Sequence, residues 1–341
     1  MQTYTIRDVA QKAGVSVTTV SRVMNGRPDV NKATREKVLA VIRECNFVCN
    51  ANAKNLKQMD AEFAAIIVRG RHNVFLNDVT ERILEYGAAG GVNFLMEYID
   101  EKEDEFLAAR RLNAEKHATG FVLLGSRVDE RCRAVDGLEA SFVLTTVSDP
   151  NGMFPAASSV CIDDRGMSRR VTEYLLQGGH RRIAVFGGRR DSGDNLALRY
   201  LGVKDAFEAD GASFDETLYV ETRFSIRDAH QSAKEFFQKH GDVTAVFCMS
   251  DLVAVGVIRA LKELGRRVPE DVSVVGFDGI EMGEFYIPSI TTVRQPTDRI
   301  AGASVELLQA MMKGQEGSRH VRIQAEFLPR ESSGKVGAGF P

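Results

Sequence analysis

The sequence has no run of about 18 apolar residues, the least that carries a helix across a bilayer, and its first residues, MQTYTIRDVAQ, lack the basic-then-apolar order of a secretory leader. Both absences set the expectation of a cytoplasmic protein. Cysteine is sparse and odd in number: Cys45, Cys49, Cys132, Cys161 and Cys248 are scattered, which argues against a disulfide framework. Cys45 and Cys49 form a lone CxxxC with no second Cys or His pair nearby, so no metal is expected, and no cofactor either. Catalytic signatures are missing too. GxSxG, HExxH and a Walker loop do not occur in a suitable context, and FGGRRDSGDN lacks the GxGxxG spacing, so an enzyme is disfavoured.

What is present is a chain of 341 residues, 44% hydrophobic and 27% charged, enough for two or three packed units. The net charge of −3 conceals an asymmetry. Residues 1–60 hold ten Lys or Arg against five Asp or Glu, so the basic end is the candidate for a polyanionic partner.

Apolar spacing predicts a helix from Ile6 to Ala13, with Thr5 as its N-cap, then a turn at Gly14. Ser16 can cap a second helix, Val17 to Met24, VTTVSRVM, whose residues are mediocre helix formers. Its valines share one face. Thr18, Thr19, Ser21 and Arg22, with Asn25 beyond it, give the other face short donors and acceptors and one guanidinium, a surface suited to a polar partner. A third helix is predicted over 31–44. From Glu62 onward apolar runs of strand length, beginning FAAIIV, GFVLLG, FVLTTV, RIAVFGG, TAVFCM and VSVVGFD, alternate with helices near 164–177, 195–208, 225–239, 251–264 and 297–313. Such alternation implies parallel sheets covered on both faces, and ten units are too many for one ordinary sheet. Two α/β lobes are therefore expected. The tail RESSGKVGAGFP has no apolar period and is expected to be flexible.

The segments TIRDVAQKAGVSVTTVSRVMNG, VNKATREKVLAVIRECNF, SVCIDDRGMSRRVTEYLLQGGHRRIAVFGG, SDLVAVGVIRALKELGRRVPEDVSVVGFDG and YIPSITTVRQP together resemble the lac repressor family of bacterial transcription regulators, over residues 3 to about 330. The resemblance implies a helix-turn-helix DNA-binding domain over 1–48, a hinge helix over 49–60 and an effector-binding core of two Rossmann-like lobes over 61–330. Lobe 1 is expected over 61–161 and 293–319, lobe 2 over 162–290 and 320–330, and a flexible tail over 331–341. It further implies a ligand-responsive regulator, most simply a repressor, that binds a pseudo-palindromic operator as a homodimer. Val17, Thr18 and Arg22 match positions that read bases; Thr5, Ser16, Thr19, Ser21, Asn25, Asn31 and Thr34 are the candidates for phosphate contact.

Residues 50–58, NANAKNLKQ, match the family's hinge helix, with Asn50, Ala53, Lys54 and Leu56 on the DNA and Leu56 as a wedge in the minor groove. Cys49 stands where the family usually has proline and Lys54 where arginine is common; the alternative is a plain linker. After Arg330 there are no leucine heptads, so a dimer and not a tetramer is expected.

In such lobes a ligand belongs at the C-terminal ends of the strands. The candidates there are Arg71, Asn73, Phe75, Asp149, Arg199, Phe224, Ser250 and Asp278, where Asp and Arg suit a polyhydroxyl ligand such as a sugar and Phe224 offers a ring an apolar face. Ser250 departs from the asparagine of many members. Arg69, Arg71 and His72 add cations that a phosphorylated or acidic ligand would use, while Asp251 is expected to be a helix cap. A solute-binding protein without a DNA role is the competing interpretation.

Overall fold

The computed structural model describes residues 6–24, 30–45, 63–71, 73–100, 102–149, 152–190, 195–315 and 317–337. The chain divides into two compact units, Met1–Ala61 and Glu62–Pro341. In the first, α1 (Ile6–Ala13), α2 (Val17–Met24) and α3 (Lys32–Glu44) enclose a small core of Val9, Ala10, Ala13, Val20, Val23 and Val38. Gly14 takes φ +62°, which lets the Val15 N–H return to the Ala10 carbonyl at 3.0 Å and turns the chain between α1 and α2. Ser16 then accepts the Thr19 N–H at 3.1 Å, and Asn31 accepts the Thr34 N–H at 2.8 Å to open α3.

The second unit begins with β1 (Phe63–Arg69), α4 (Val74–Gly90), β2 (Asn93–Ile99), α5 (Glu105–Lys116), β3 (Gly120–Leu124), β4 (Ser141–Thr145) and β5 (Ser158–Cys161). It continues with α6 (Asp164–Gln177), β6 (Ile183–Gly187), α7 (Asn195–Ala209), β7 (Tyr219–Glu221), α8 (Ile226–Phe237), β8 (Ala245–Cys248), α9 (Asp251–Glu263) and β9 (Ser273–Val275). Last come α10 (Glu281–Phe285), β10 (Thr292–Arg294), α11 (Thr297–Met312), β11 (His320–Arg322) and β12 (Glu326–Leu328). Lobe 1 holds a parallel sheet in the order β11-β5-β4-β3-β1-β2 and lobe 2 a parallel sheet in the order β7-β6-β8-β9. The strands are apolar because both faces are covered: in β1, Ala64, Ile66 and Val68 join the core that contains Phe75 and Val79 of α4, while Ala65 and Ile67 join Phe106 and Leu112 of α5.

Three segments pass between the lobes: the link from β5 to α6, the link from β10 to α11, and the link from β11 to β12. Bridges Val275↔Thr291 and Asp278↔Arg294 tie the second of these to lobe 2, whereas α11 packs on β4 and α4 of lobe 1, where Thr145 Oγ1 donates to Ser304 Oγ at 2.9 Å. The β10-β12 pair lies along this boundary.

Two expectations need correction. His320–Arg322 belongs to lobe 1, not lobe 2, because it pairs in parallel with β5, His320 opposite Ser159; a three-residue edge strand with exposed His and Arg has no apolar signature to betray it. Residues 331–337 are not a free tail. Ser332 Oγ donates to the Val274 carbonyl at 2.6 Å, the Val274 N–H donates to the Ser332 carbonyl at 2.7 Å, and the Val336 N–H reaches the Gly178 carbonyl at 2.9 Å. His180 Nε2 donates to the Gly334 carbonyl at 3.0 Å, so its Nδ1 is the acceptor for Thr244 at 2.9 Å, and burial holds its pKa below the ordinary histidine value. Polar bonds rather than apolar contacts fasten this segment to the edge of the second sheet.

Candidate functional site

On the first unit, α2 buries Val20 and Val23 and leaves the opposite face to solvent. Val17 is 41% exposed, and Thr18 and Arg22 are exposed beside it; Thr19 and Ser21 are half-buried. Eight residues of helix fit a major groove about 12 Å wide, and the exposed N-terminal end presents Val17 and Thr18 with Arg22 one turn on. Ser16 and Asn31 spend a side-chain oxygen on capping, and Thr34, half-buried, supplies the N–H that Asn31 accepts. Thr5, Asn25, Asn50, Ala53, Lys54 and Leu56, like Cys49, lie outside the described residues.

In the second unit a cleft of about 910 Å³ opens between the lobes at the C-terminal ends of both parallel sheets. It has the size of a small-molecule site. Seven of the expected residues line it: Arg69, Arg71, Asn73, Phe75, Arg199, Phe224 and Asp278. Asn73 also caps α4 by accepting the Leu76 N–H at 3.2 Å.

Asp278 is a buried carboxylate on the cleft floor, one residue beyond the "VVGF" strand end, with φ 109°. Its Oδ1 accepts from Gln295 Nε2 at 2.9 Å and lies 3.8 Å from Arg199 Nη1. Arg199 is 3% exposed: Nε donates to Asp164 Oδ1 at 2.7 Å, Nη1 donates to the Met249 carbonyl at 2.7 Å, and the guanidinium lies 3.6 Å from the Phe277 ring centroid. Burial pushes Asp278 up to about 6, against the pull of Arg199 and of hydrogen bonds from Ser250 and Gln295. The floor is therefore a buried ionic network with one guanidinium between two carboxylates.

Asp149 and Ser250 do not line the cleft. The Asp149 carboxylate folds back on its own loop, accepting the Met153 N–H at 3.0 Å and the Phe154 N–H at 2.6 Å. Ser250 is buried beneath Asp278, to which its hydroxyl donates. Asp251 is not a helix cap: its carboxylate accepts the Gly279 N–H at 2.7 Å, the Ile280 N–H at 2.9 Å and the Thr292 hydroxyl at 2.6 Å, and burial, then the charge of Asp278, pushes it up to about 8.

The position on the cleft after β4 is taken by Thr146, which sequence reasoning missed. FVLTTV reads as a strand through Val147, which made Thr146 interior, but β4 stops at Thr145. Thr146 has φ +70°, a rare conformation for a β-branched residue, and its buried Oγ1 has no hydrogen-bond partner among the described residues. Four more cationic lining residues went unnoticed: Lys102 and Arg127 on lobe 1, Arg189 and Arg223 on lobe 2. Each follows a strand end, which was the available signal. Glu105, fully buried, steadies the lobe 1 group, accepting the Arg127 N–H at 2.8 Å and standing 4.0 Å from Arg69 Nε.

A DNA-sized helix-turn-helix joined to a two-lobe binding core defines a ligand-responsive transcription regulator. The description "Bacterial regulatory proteins, lacI family" matches residues 5–50, and "Periplasmic binding protein-like domain" matches residues 172–333. The chain is 32% identical over 330 residues to the HTH-type transcriptional regulator MalR of Clostridium butyricum, covering 96% of this chain and 98% of that one. It is 31% identical over 332 residues to the HTH-type transcriptional repressor PurR of Vibrio atlanticus, covering 96% and 98%. Among solved structures, the transcriptional regulator CelR-cellobiose complex superposes with TM-score 0.71 at 30% identity, covering 96% of this chain and 99% of that chain. The lac repressor dimer bound to operator and the anti-inducer ONPF superposes with TM-score 0.72 at 25% identity, covering 97% and 99%. The chain belongs to the lacI family of bacterial regulatory proteins. Among the described residues no helix is long and apolar enough to cross a membrane.

Proposed function

We propose that the protein represses transcription as a homodimer on a pseudo-palindromic operator, and that a carbohydrate effector in the interlobe cleft sets its DNA affinity. The observation that carries this is the pairing of an exposed polar face on α2 with a 910 Å³ cleft floored by Asp278 and Arg199. The cellobiose bound by one relative of known structure and the operator bound by another lend support.

In this proposal Val17 and Thr18 touch base edges and Arg22 makes a two-pronged contact with guanine, while Ser16, Thr19, Ser21, Asn31 and Thr34, together with Thr5 and Asn25, face phosphates. Asn50, Ala53, Lys54 and Leu56 pair with their counterparts in the minor groove. Phe285 and Ile287, 75% and 90% exposed at the end of α10, are the apolar surface assigned to the second copy.

The test is operator selection from random duplexes, followed by binding titrations of wild type and Arg22→Ala. The variant should lose about 1–3 kcal/mol of discrimination for one base pair in each half-site while keeping weak, salt-sensitive binding. Equal affinity of both proteins for the selected site, or a monomer on that site by sedimentation, overturns the proposal.

A further inference from the structure

The two lobes repeat one strand order. Numbered from its own first strand, each parallel sheet runs second, first, third, fourth: β2-β1-β3-β4 in lobe 1 and β7-β6-β8-β9 in lobe 2. Thr146 directly follows the fourth strand of lobe 1, and Asp278 lies three residues beyond the fourth strand of lobe 2. The two positions are therefore equivalents, and both line the cleft. They also share a conformation. Only three non-glycine residues among the described residues have positive φ: Thr146 at 70°, Asp278 at 109° and His117, the C-cap of α5, at 57°. Positive φ is costly for a residue with a Cβ, most of all a β-branched one, and persists where the surrounding structure imposes it.

Each of the pair is held by a strand that leaves its lobe. The Thr146 N–H donates to the Val160 carbonyl at 2.8 Å, and the Asp278 N–H donates to the Val293 carbonyl at 2.9 Å. Val160 lies in β5, from which the chain passes to α6 in lobe 2, and Val293 lies in β10, from which it passes to α11 in lobe 1. The side chains differ in how far they are satisfied. Gln295, Ser250 and Arg199 surround the Asp278 carboxylate, whereas Thr146, 3% exposed, has a hydroxyl with no hydrogen-bond partner among the described residues. A buried hydroxyl without a partner costs free energy, which a ligand that supplies the partner returns.

We infer that Thr146 is the lobe 1 half of a two-residue grip whose other half is Asp278, and that the group gripped is a neutral hydroxyl of the effector. That hydroxyl donates to the Asp278 carboxylate and accepts from Thr146 Oγ1, which turns about χ1 to meet it. An ether oxygen cannot donate and an ammonium cannot accept. An anionic oxygen meets two buried carboxylates, Asp164 and Asp278, answered by one guanidinium in a space shielded from water. A ligand held at both points engages both crossing strands at once, so this hydroxyl couples occupancy to lobe geometry. The inference rests on the cleft being the effector site.

The experiment uses the full chain in thermal-shift and calorimetric titrations. The probes are glucose, galactose, mannose, fructose, maltose, cellobiose and lactose, with gluconate, glucose 6-phosphate, hypoxanthine and guanine as competing classes. At least one neutral sugar should bind and raise Tm. Thr146→Val should weaken that sugar by about tenfold, while Thr146→Ser, which keeps the hydroxyl, stays within about threefold of the wild type. Thr146→Gly, which adopts positive φ freely, should fold and bind as weakly as the valine variant, and it carries the test should valine not fold. Among monodeoxy analogues of the bound sugar, the affinity penalty of one position should shrink by about threefold or more in Thr146→Val, which locates the gripped hydroxyl. Wild-type affinity in the valine and glycine variants overturns the inference, and so does an equal loss in Thr146→Ser, which makes the role structural. Binding confined to gluconate, glucose 6-phosphate or a purine, or no binding by any probe, overturns it as well. A sugar that loses affinity in Thr146→Val but leaves the operator affinity of the wild type unchanged sinks the effector reading and leaves the grip standing. A sugar that shifts operator affinity and binds wild type and Thr146→Val alike does the reverse.

Discussion

Arg199 gives the sharpest quantitative test, through the substitution Arg199→Met. The side chain is 3% exposed and lies 2.7 Å from Asp164 Oδ1 and 3.8 Å from Asp278 Oδ1. Methionine fills part of the volume above Phe277 but takes the guanidinium away from two buried carboxylates and leaves the Met249 carbonyl without its donor at 2.7 Å. Breaking a buried pair by removing one partner costs about 3–5 kcal/mol, which in a unit of this size lowers Tm by about 6–10 °C. The loss should depend on pH. In the wild type burial raises Asp278 to about 6, so between the ordinary carboxylate range and that pH the folded chain keeps a proton the unfolded chain has released, and stability falls as pH rises. Without the guanidinium Asp278 rises further and the fall extends to higher pH. Asp251, raised to about 8, is present in both proteins and largely cancels in the difference. Thermal melts of the two full-length proteins followed by circular dichroism at pH 5, 7 and 8.5 should therefore show a gap that widens with pH. A gap below about 1 kcal/mol, or one that does not change with pH, refutes the ionic network as a source of stability.

Thr146→Val removes a buried hydroxyl that has no partner and keeps the side-chain shape; the ligand-free protein should hold or gain up to about 1 kcal/mol of stability while effector affinity falls, as calorimetry would show. Unchanged affinity would remove Thr146 from the site. Gly202→Ala places a Cβ 2.2 Å from the Arg165 carbonyl oxygen and 2.9 Å from the Arg169 nitrogen, both backbone atoms of α6, so α6 and α7 must separate, at a cost of about 1–3 kcal/mol by denaturant titration. A neutral outcome would mean that this helix pair is looser than its geometry.

The secondary structure was legible wherever burial imposed a period. Predicted helices at 164–177 and 297–313 correspond to α6 at Asp164–Gln177 and α11 at Thr297–Met312, and the apolar strands are apolar because helices cover both faces of the sheets. Legibility failed where one residue of register matters. Treating FVLTTV as a strand through Val147 hid Thr146 and promoted Asp149, a carboxylate consumed by its own loop. Ser250 looked like a ligand contact because it follows a strand, yet it stands under Asp278, and nothing local in the sequence separates the side chain that faces a cleft from the one beneath it. The segment 331–337 was opaque for another reason: serine and glycine fasten it by hydrogen bonds, and polar attachment leaves no hydrophobic period to detect.

The cleft floor and the hinge are one object, and magnitudes decide what kind of ligand can move it. The Asp278 N–H donates to the Val293 carbonyl at 2.9 Å and its carbonyl accepts the Gln295 N–H at 3.1 Å, so its backbone is laced to the segment that leaves lobe 2 for lobe 1. The next residue, Gly279, has φ +74°, and a Cβ there would lie 2.5 Å from Arg294 Cα, so glycine is what allows the loop and β10 to touch. The Asp251 carboxylate clamps the same junction from below through Gly279, Ile280 and Thr292. Under the proposed function, a ligand that bonds Asp278 thus acts on the segment that joins the lobes. It can shift the lobe equilibrium only by its difference in affinity for the two states, and a swing from 1:99 to 99:1 requires about 5.5 kcal/mol. Neutral hydrogen bonds at about 1 kcal/mol each would need five or six contacts made only in the closed form. Charge-assisted bonds at about 1.5–3 kcal/mol reach the same difference with two to four, so fewer ionic than neutral contacts specific to the closed form suffice to move the hinge.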